Sequence, residues 1–223
     1  MIEARDLCKT YRVEGQAFTV VEGINLVVRK GETVSIVGHS GSGKTTLLSL
    51  LGGVTKPDFG QVMLEGIDLW SLGDDRLSEL RNRKLGFIYQ FSSLIPTLTA
   101  LDNICLPTAF GTAVDNPADR AIALLEKIGL ADKAGFYPCQ LSGGQQRRVA
   151  IARAFINSPE VILADEPTGD LDEETEREII DLFREINAES GTTFLIVTHN
   201  KEIASLADRR FAMKNGALKE VPF

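Results

Sequence analysis

The chain has 223 residues, with 24 Lys plus Arg against 31 Asp plus Glu, a formal net charge of −7. At 43% hydrophobic and 25% charged it has an ordinary globular composition, sufficient for one large α/β domain or two small ones. Its negative field repels phosphate backbones, which excludes a sequence-independent nucleic-acid binder.

No apolar run approaches the roughly 18 residues of a membrane-spanning helix. The opening MIEARDLCKTY is charged from Glu3 onward and lacks the apolar centre of a secretion signal, so a cytoplasmic chain is expected. Cys8, Cys105 and Cys139 are odd in number and form no C-x-x-C pair. They are read as reduced, small apolar side chains, not as a disulfide framework or zinc site.

In chain order, the first thirty residues alternate loosely, and FTVVEGINLVV before Gly31 predicts antiparallel strands. TVSIVG, Thr33 to Gly38, is a nearly continuous apolar run ending in glycine, as expected of a strand buried on both faces of a parallel sheet. KTTLLSLLGG follows directly. From Lys44 it places Leu47, Leu48, Leu50 and Leu51 on one wide apolar stripe and stops at Gly52 and Gly53, a helix with its C-terminal cap. The middle, about 91–157, has no comparable buried strand and carries helical patterns in DRAIALLEKIGLAD and GGQQRRVAIARAFIN. VILAD, Val161 to Asp165, and TFLIVTH, Thr193 to His199, are two more core strands. Between them Ile179, Ile180, Phe183 and Ile186 recur at helical spacing, and strand, helix, strand implies parallel pairing.

Three motifs carry chemistry. GHSGSGKTT, Gly38 to Thr46, fits G-x-x-x-x-G-K-[ST] on a strand-to-helix turn. Its glycines let backbone N–H groups converge on phosphate oxygens, the helix N-terminus adds positive potential, and Lys44 supplies charge for the outer phosphates. Thr45 can hold Mg²⁺ through its hydroxyl. VILADE ends an apolar strand in two carboxylates: Asp165 would hold the metal, leaving Glu166 free to act as general base on an attacking water. LSGGQ, Leu141 to Gln145, puts Ser142 at a helix N-cap with two glycines behind it, a second set of amide donors. Taken singly, each has a plainer reading as a capping turn or a solvated carboxylate pair. Together in one chain they describe phosphate contacted from two sides.

On these residues the chain resembles, from end to end, a nucleotide-binding subunit of an ATP-binding cassette (ABC) transporter, for which LSGGQ is the signature. The resemblance implies an α/β P-loop NTPase fold: a mostly parallel core sheet and an N-terminal antiparallel β subdomain over about 1–90 and 158–223, with a helical subdomain inserted over about 91–157. It implies that Tyr11 stacks on adenine and that Gly38, His39, Ser40, Gly41, Ser42, Gly43, Lys44, Thr45 and Thr46 surround the phosphates of ATP. Gln90 becomes the lid glutamine, joining Thr45 and Asp165 at Mg²⁺ and assisting catalysis with Glu166, Lys44 and the switch histidine His199. Ser142, Gly143, Gly144, Gln145 and, in GDLD, Asp172 would complete the site of a second copy of the chain, making an ATP-sandwiched homodimer.

Within the family, ADEPTGDLD and YQFSSLIPTLTALDNICLP resemble the branch of macrolide exporters, lipoprotein-releasing systems and cell-division ATPases. Asp170 stands where that branch usually has Asn, and Asn200 follows the histidine where Asp is usual. The segment from Phe91 to Pro107 resembles the surface that receives a cytoplasmic helix of the membrane-spanning permease subunit. The expected function is ATP hydrolysis driving such a permease from the inner face of the membrane. The alternative is an ATP-switched regulator of a membrane complex that moves no substrate, as in the cell-division member.

Overall fold

The computed structural model describes residues 1–111, 115–169, 171–205 and 207–222; Asp170 lies outside them. The chain runs β1 (Ile2–Val13), β2 (Gln16–Val28), β3 (Thr33–Val37), α1 (Lys44–Leu51), β4 (Phe59–Leu64), β5 (Ile67–Asp68), α2 (Asp74–Lys84), β6 (Leu85–Ile88) and α3 (Ala100–Cys105). It continues through α4 (Pro117–Lys127), α5 (Gly143–Phe155), β7 (Val161–Asp165), α6 (Glu173–Ser190), β8 (Thr193–Val197), α7 (Lys201–Ser205), β9 (Arg209–Lys214) and β10 (Ala217–Val221).

Two sheets form. The smaller is antiparallel in the order β2-β1-β4-β5, and the larger has the order β10-β9-β3-β8-β7-β6. Every pairing in the larger sheet is parallel except that of β10 with β9. The fold is therefore mixed α/β, with a parallel-rich core sheet beside an antiparallel one.

The continuous apolar runs are explained by burial on two sides. Val161 and Leu163 of β7, with Leu195 and Val197 of β8, pack with Leu47, Leu50 and Leu51 of α1 and the antiparallel strands. The alternate residues Ile162 and Ala164, with Phe194 and Ile196, pack on the opposite face with Ile151 and Phe155 of α5 and Ile179 and Phe183 of α6. Phe194 is the centre of that second core, its ring 5.3 Å from Phe183 and 6.2 Å from Phe155. Each such fully buried side chain contributes about 1.5–3 kcal/mol. A polar residue at any of positions 161–164 of β7 or 194–197 of β8 would thus face a core.

Helix ends follow local chemistry. α6 begins at Asp172, which accepts the Thr175 N–H at 2.9 Å, and carries Glu173, Glu174 and Glu176 in its first turn, where the helix dipole favours acid. It stops at Gly191, at φ 62°.

The structure has three strands of the larger sheet that the sequence pattern misses, β6, β9 and β10. LGFI is only four residues long and follows a charged helix, RRFAMK opens on two adjacent arginines and closes on a lysine, and ALKEV carries two charges in five residues, so none gives a buried-strand signal. The cysteines are free thiols, but Cys139 is exposed and not the small apolar packing residue expected. Among the described residues, no helix is long and apolar enough to cross a membrane.

Candidate functional site

Parallel pairing brings distant sequence together. β3, β8, β7 and β6 are neighbours running the same way, so the residues just after each strand gather along one sheet edge, where α/β folds hold ligands. These are the glycine loop after β3, His199 after β8, Asp165 and Glu166 at the end of β7, and Gln90 after β6. They line one cleft of about 660 Å³ with Gly38, His39, Ser40, Gly41, Gly43, Lys44, Thr45, Thr46 and Val20.

The loop geometry is specific. Gly43 caps α1 at φ 104°, and a Cβ there would lie 2.4 Å from the Val20 carbonyl oxygen, so no other residue fits. Val20, on β2, backs the loop; nothing in the looser alternation of the first thirty residues marks it. Lys44 extends over the loop mouth, its Nζ donating to the Gly38 carbonyl at 2.8 Å and the His39 carbonyl at 3.2 Å. Ser42 is buried behind the cleft and its N–H closes the loop onto the His39 carbonyl at 3.2 Å.

The two carboxylates differ. Asp165 is buried, and burial raises its carboxyl above the ordinary range, helped by the nearby Glu166 and opposed by a Thr45 hydrogen bond and the Lys44 charge. Glu166 has a left-handed backbone, φ 46°, a conformation that costs a non-glycine residue about 1–3 kcal/mol. Its Oε2 accepts the His199 backbone N–H at 3.1 Å and lies 3.0 Å from His199 Nδ1. The imidazole itself is 75% exposed at the cleft rim, which leaves its ring accessible to a ligand.

The loop after β6 is braced from α5. Arg147 of α5, 5% exposed, donates to the carbonyls of Tyr89 and Gln90 and, at 3.3 Å, of Gly169. Arg153 donates to Ser93 at 2.8 Å and Ser92 at 3.0 Å. Both arginines were missed from sequence, although QQRRVAIARAF shows them on a helix that also carries the core residues Val149 and Ile151.

The remaining expected residues lie outside the cleft lining. Ser142 caps α5 in a reciprocal box with Gln145: Ser142 Oγ accepts the Gln145 N–H at 3.2 Å and Gln145 Oε1 accepts the Ser142 N–H at 2.9 Å. Gly143 and Gly144 form the first turn, and a Cβ on Gly144 would lie 2.9 Å from Thr175 Cγ2. The N-termini of α5 and α6, capped by Ser142 and Asp172, are thus side by side. Tyr11 sits near the end of β1 opposite Phe18, 40% exposed and within 5.6 Å of the Lys9 ammonium.

A family model described as "ABC transporter" matches residues 21–169. The chain belongs to the ABC transporter family. It is 47% identical over 99% of its length to the lipoprotein-releasing system ATP-binding protein LolD of Pseudomonas syringae pv. tomato, covering 97% of that protein. It is 46% identical, again over 99% of its length, to the macrolide export ATP-binding/permease protein MacB of Rhodopirellula baltica, of which it covers 33%. Among solved structures, the ATP-binding cassette MJ0796, described as a dimer in a post-hydrolysis state with ADP and Pi, superposes with a TM-score of 0.92 at 39% identity and full coverage of both chains. The chain is an ABC nucleotide-binding cassette of the LolD and MacB branch, as its motifs lead one to expect.

Because Asp165 binds its proton more tightly folded than unfolded, the ligand-free cassette loses stability as pH rises from the unfolded value through the raised folded one, and the loss persists at neutral pH. Asp165→Asn should therefore raise the melting temperature of the ligand-free chain at neutral pH, by about 2–4 °C per kcal/mol relieved. It should also blunt the further stabilisation by ATP with Mg²⁺. Calorimetry of both proteins checks this; an unchanged response to ATP with Mg²⁺ overturns the metal-binding role expected of Asp165 from the sequence.

Proposed function

We propose that the chain binds MgATP in the cleft at the sheet edge and hydrolyses it to drive a membrane-spanning permease on the inner face of the membrane. The single observation that carries this reading is the convergence in one cleft of the phosphate loop with Lys44, the buried Asp165 beside Thr45, and the Glu166–His199 pair.

The donor set suits Mg²⁺: a buried carboxylate, a hydroxyl and the lid amide are hard oxygen ligands, and a metal would offset the cost of burying Asp165. Thr45, Asp165 and Gln90 would hold it, and its charge would polarise the outer phosphates. Gly38 to Thr46 orient the phosphates through their amides, and Lys44 leaves the loop carbonyls to pair with them. Glu166 takes a proton from the attacking water, whose oxygen bonds to the γ-phosphorus as the bond to ADP breaks. The His199 imidazole, anchored by its bonds to Glu166, faces the γ-phosphate. Tyr11 packs against the base from the antiparallel sheet.

Ser142, Gly143, Gly144, Gln145 and Asp172 act in trans. They crown two helix N-termini away from their own chain's cleft, where their potential favours phosphate. A second copy, turned by a two-fold axis, brings them onto the ATP held by Lys44 and Thr45. The name of the relative LolD, a lipoprotein-releasing system ATP-binding protein, makes lipoprotein release the leading substrate class. The permease contact lies at a groove of about 600 Å³ between α2, β6 and α5, rimmed by the exposed Tyr89 and Phe110. It reaches only Leu106 and Pro107 of the segment from Phe91 to Pro107, the rest of its wall coming from α2, β6, α5 and the residues Tyr89, Phe110, Ile156 and Asn157. The catalytic and β portions are assigned to about 1–90 and 158–223, and the helical portion to about 91–157.

Release of inorganic phosphate from MgATP by the purified chain tests the reading. Turnover that stops on chelating Mg²⁺ is expected; a chain that binds ATP without releasing phosphate, in the presence or absence of its permease, overturns it.

A further inference from the structure

Asn200, next to the switch histidine, uses the two ends of its amide differently. Its Oδ1 accepts the backbone N–H groups of Glu202 at 2.7 Å and Ile203 at 3.2 Å, at the start of α7. Its Nδ2 donates to Glu176 Oε1 in the first turn of α6. Since two N–H donors fix the oxygen end, the amide has one orientation, and only its nitrogen end can meet the carboxylate. An aspartate would satisfy the α7 amides equally well but would set a second carboxylate against Glu176. The need for a donor at this position therefore comes from α6.

The tie has a catalytic consequence. The loop it holds also carries His199, whose N–H and ring both meet Glu166 Oε2. Asn200 is fixed in addition by its own N–H to Thr198 Oγ1 at 3.0 Å and by its carbonyl, which accepts from Ala204 at 3.1 Å. Thr175, beside Glu176, is bonded to Asp172 and packs against Gly144. A continuous set of contacts thus joins α5 to the His199–Glu166 pair through α6 and Asn200.

We propose that Asn200 is a positioning residue: by donating to Glu176 it fixes the loop that sets His199 against Glu166. This rests on the reading that His199 and Glu166 act on ATP. Steady-state ATP turnover is measured for Asn200→Asp, Glu176→Gln, the double variant, Glu176→Ala and His199→Ala. Asn200→Asp should lower kcat about 10-fold, with KM for ATP within about 2-fold; the α7 cap is kept, so the loss of stability is confined to the contact with Glu176. Glu176→Gln keeps an acceptor and should stay within about 3-fold of wild type. In the double variant the introduced amide donates to the introduced carboxylate, reversing the bond, and kcat should recover to within about 3-fold. Glu176→Ala leaves the cap untouched and should repeat the loss of kcat, so the proposal remains testable if Asn200→Asp folds poorly.

Wild-type kcat in Asn200→Asp or Glu176→Ala, or a double variant no faster than Asn200→Asp, overturns the proposal. His199→Ala separates the two levels. If it is inactive while Asn200→Asp runs at the wild-type rate, only the positioning role falls. If it turns over like wild type, the role of His199 falls and takes the positioning role with it.

Discussion

Glu166→Gln should slow phosphate release about 10²–10⁴-fold, roughly 3–5 kcal/mol of barrier, while ATP still binds. The amide is nearly isosteric and can still accept the His199 N–H, so the cleft keeps its shape, but it cannot take a proton from water. The consequence reaches the assembly. If Ser142 and Gly144 of one copy close on the ATP of the other, a nucleotide that is not hydrolysed holds the pair shut, against the repulsion of −7 on each chain. Light scattering should show a dimer of Glu166→Gln with MgATP and a monomer without it. Adding Ser142→Arg should abolish the dimer by placing a bulky side chain in the phosphate site. That change also removes the α5 cap, which costs about 1 kcal/mol, so the double variant is compared at a temperature where its circular dichroism matches the parent. A Glu166→Gln protein that stays monomeric at saturating MgATP, or a Ser142→Arg double variant that still dimerises, refutes the sandwich.

Lys44→Ala should weaken ATP binding about 30- to 4,000-fold. The ammonium is held at the loop by carbonyls at 2.8 and 3.2 Å, bonds it exchanges for the outer phosphates when ATP binds. Removing one partner of such a desolvated charge pair costs about 2–5 kcal/mol, or ~30- to 4,000-fold in Kd. The fold should survive, because what is lost in the free protein is hydrogen bonding worth only about 1 kcal/mol. Titration calorimetry on a variant with native circular dichroism decides: unchanged affinity removes Lys44 from the phosphate site.

The sequence by itself determined the parts whose chemistry is local. The P-loop, α1 with its leucine stripe, β7 and β8 with their double-sided burial, and α6 with its acidic first turn were all legible, since periodicity and capping act within about 15 residues. The carboxylate pair and the Ser142 cap were legible for the same reason. Gln90, His199, Tyr11 and Asp172 took their expected roles only from resemblance, because a lone residue after a short strand has no local pattern.

The tertiary structure alone decided how these parts meet. Nothing in LGFI or RRFAMK announces β6 or β9, and without β6 beside β7 there is no reason for Gln90 to reach the cleft. Val20 behind Gly43, Arg147 and Arg153 bracing the loop after β6, and Glu176 receiving the Asn200 amide are contacts between elements far apart in the chain. Their partners are chosen by strand order and helix packing, which no single segment encodes. The residues that make the chemistry were written locally, and their convergence was settled by four parallel strands that end at one edge.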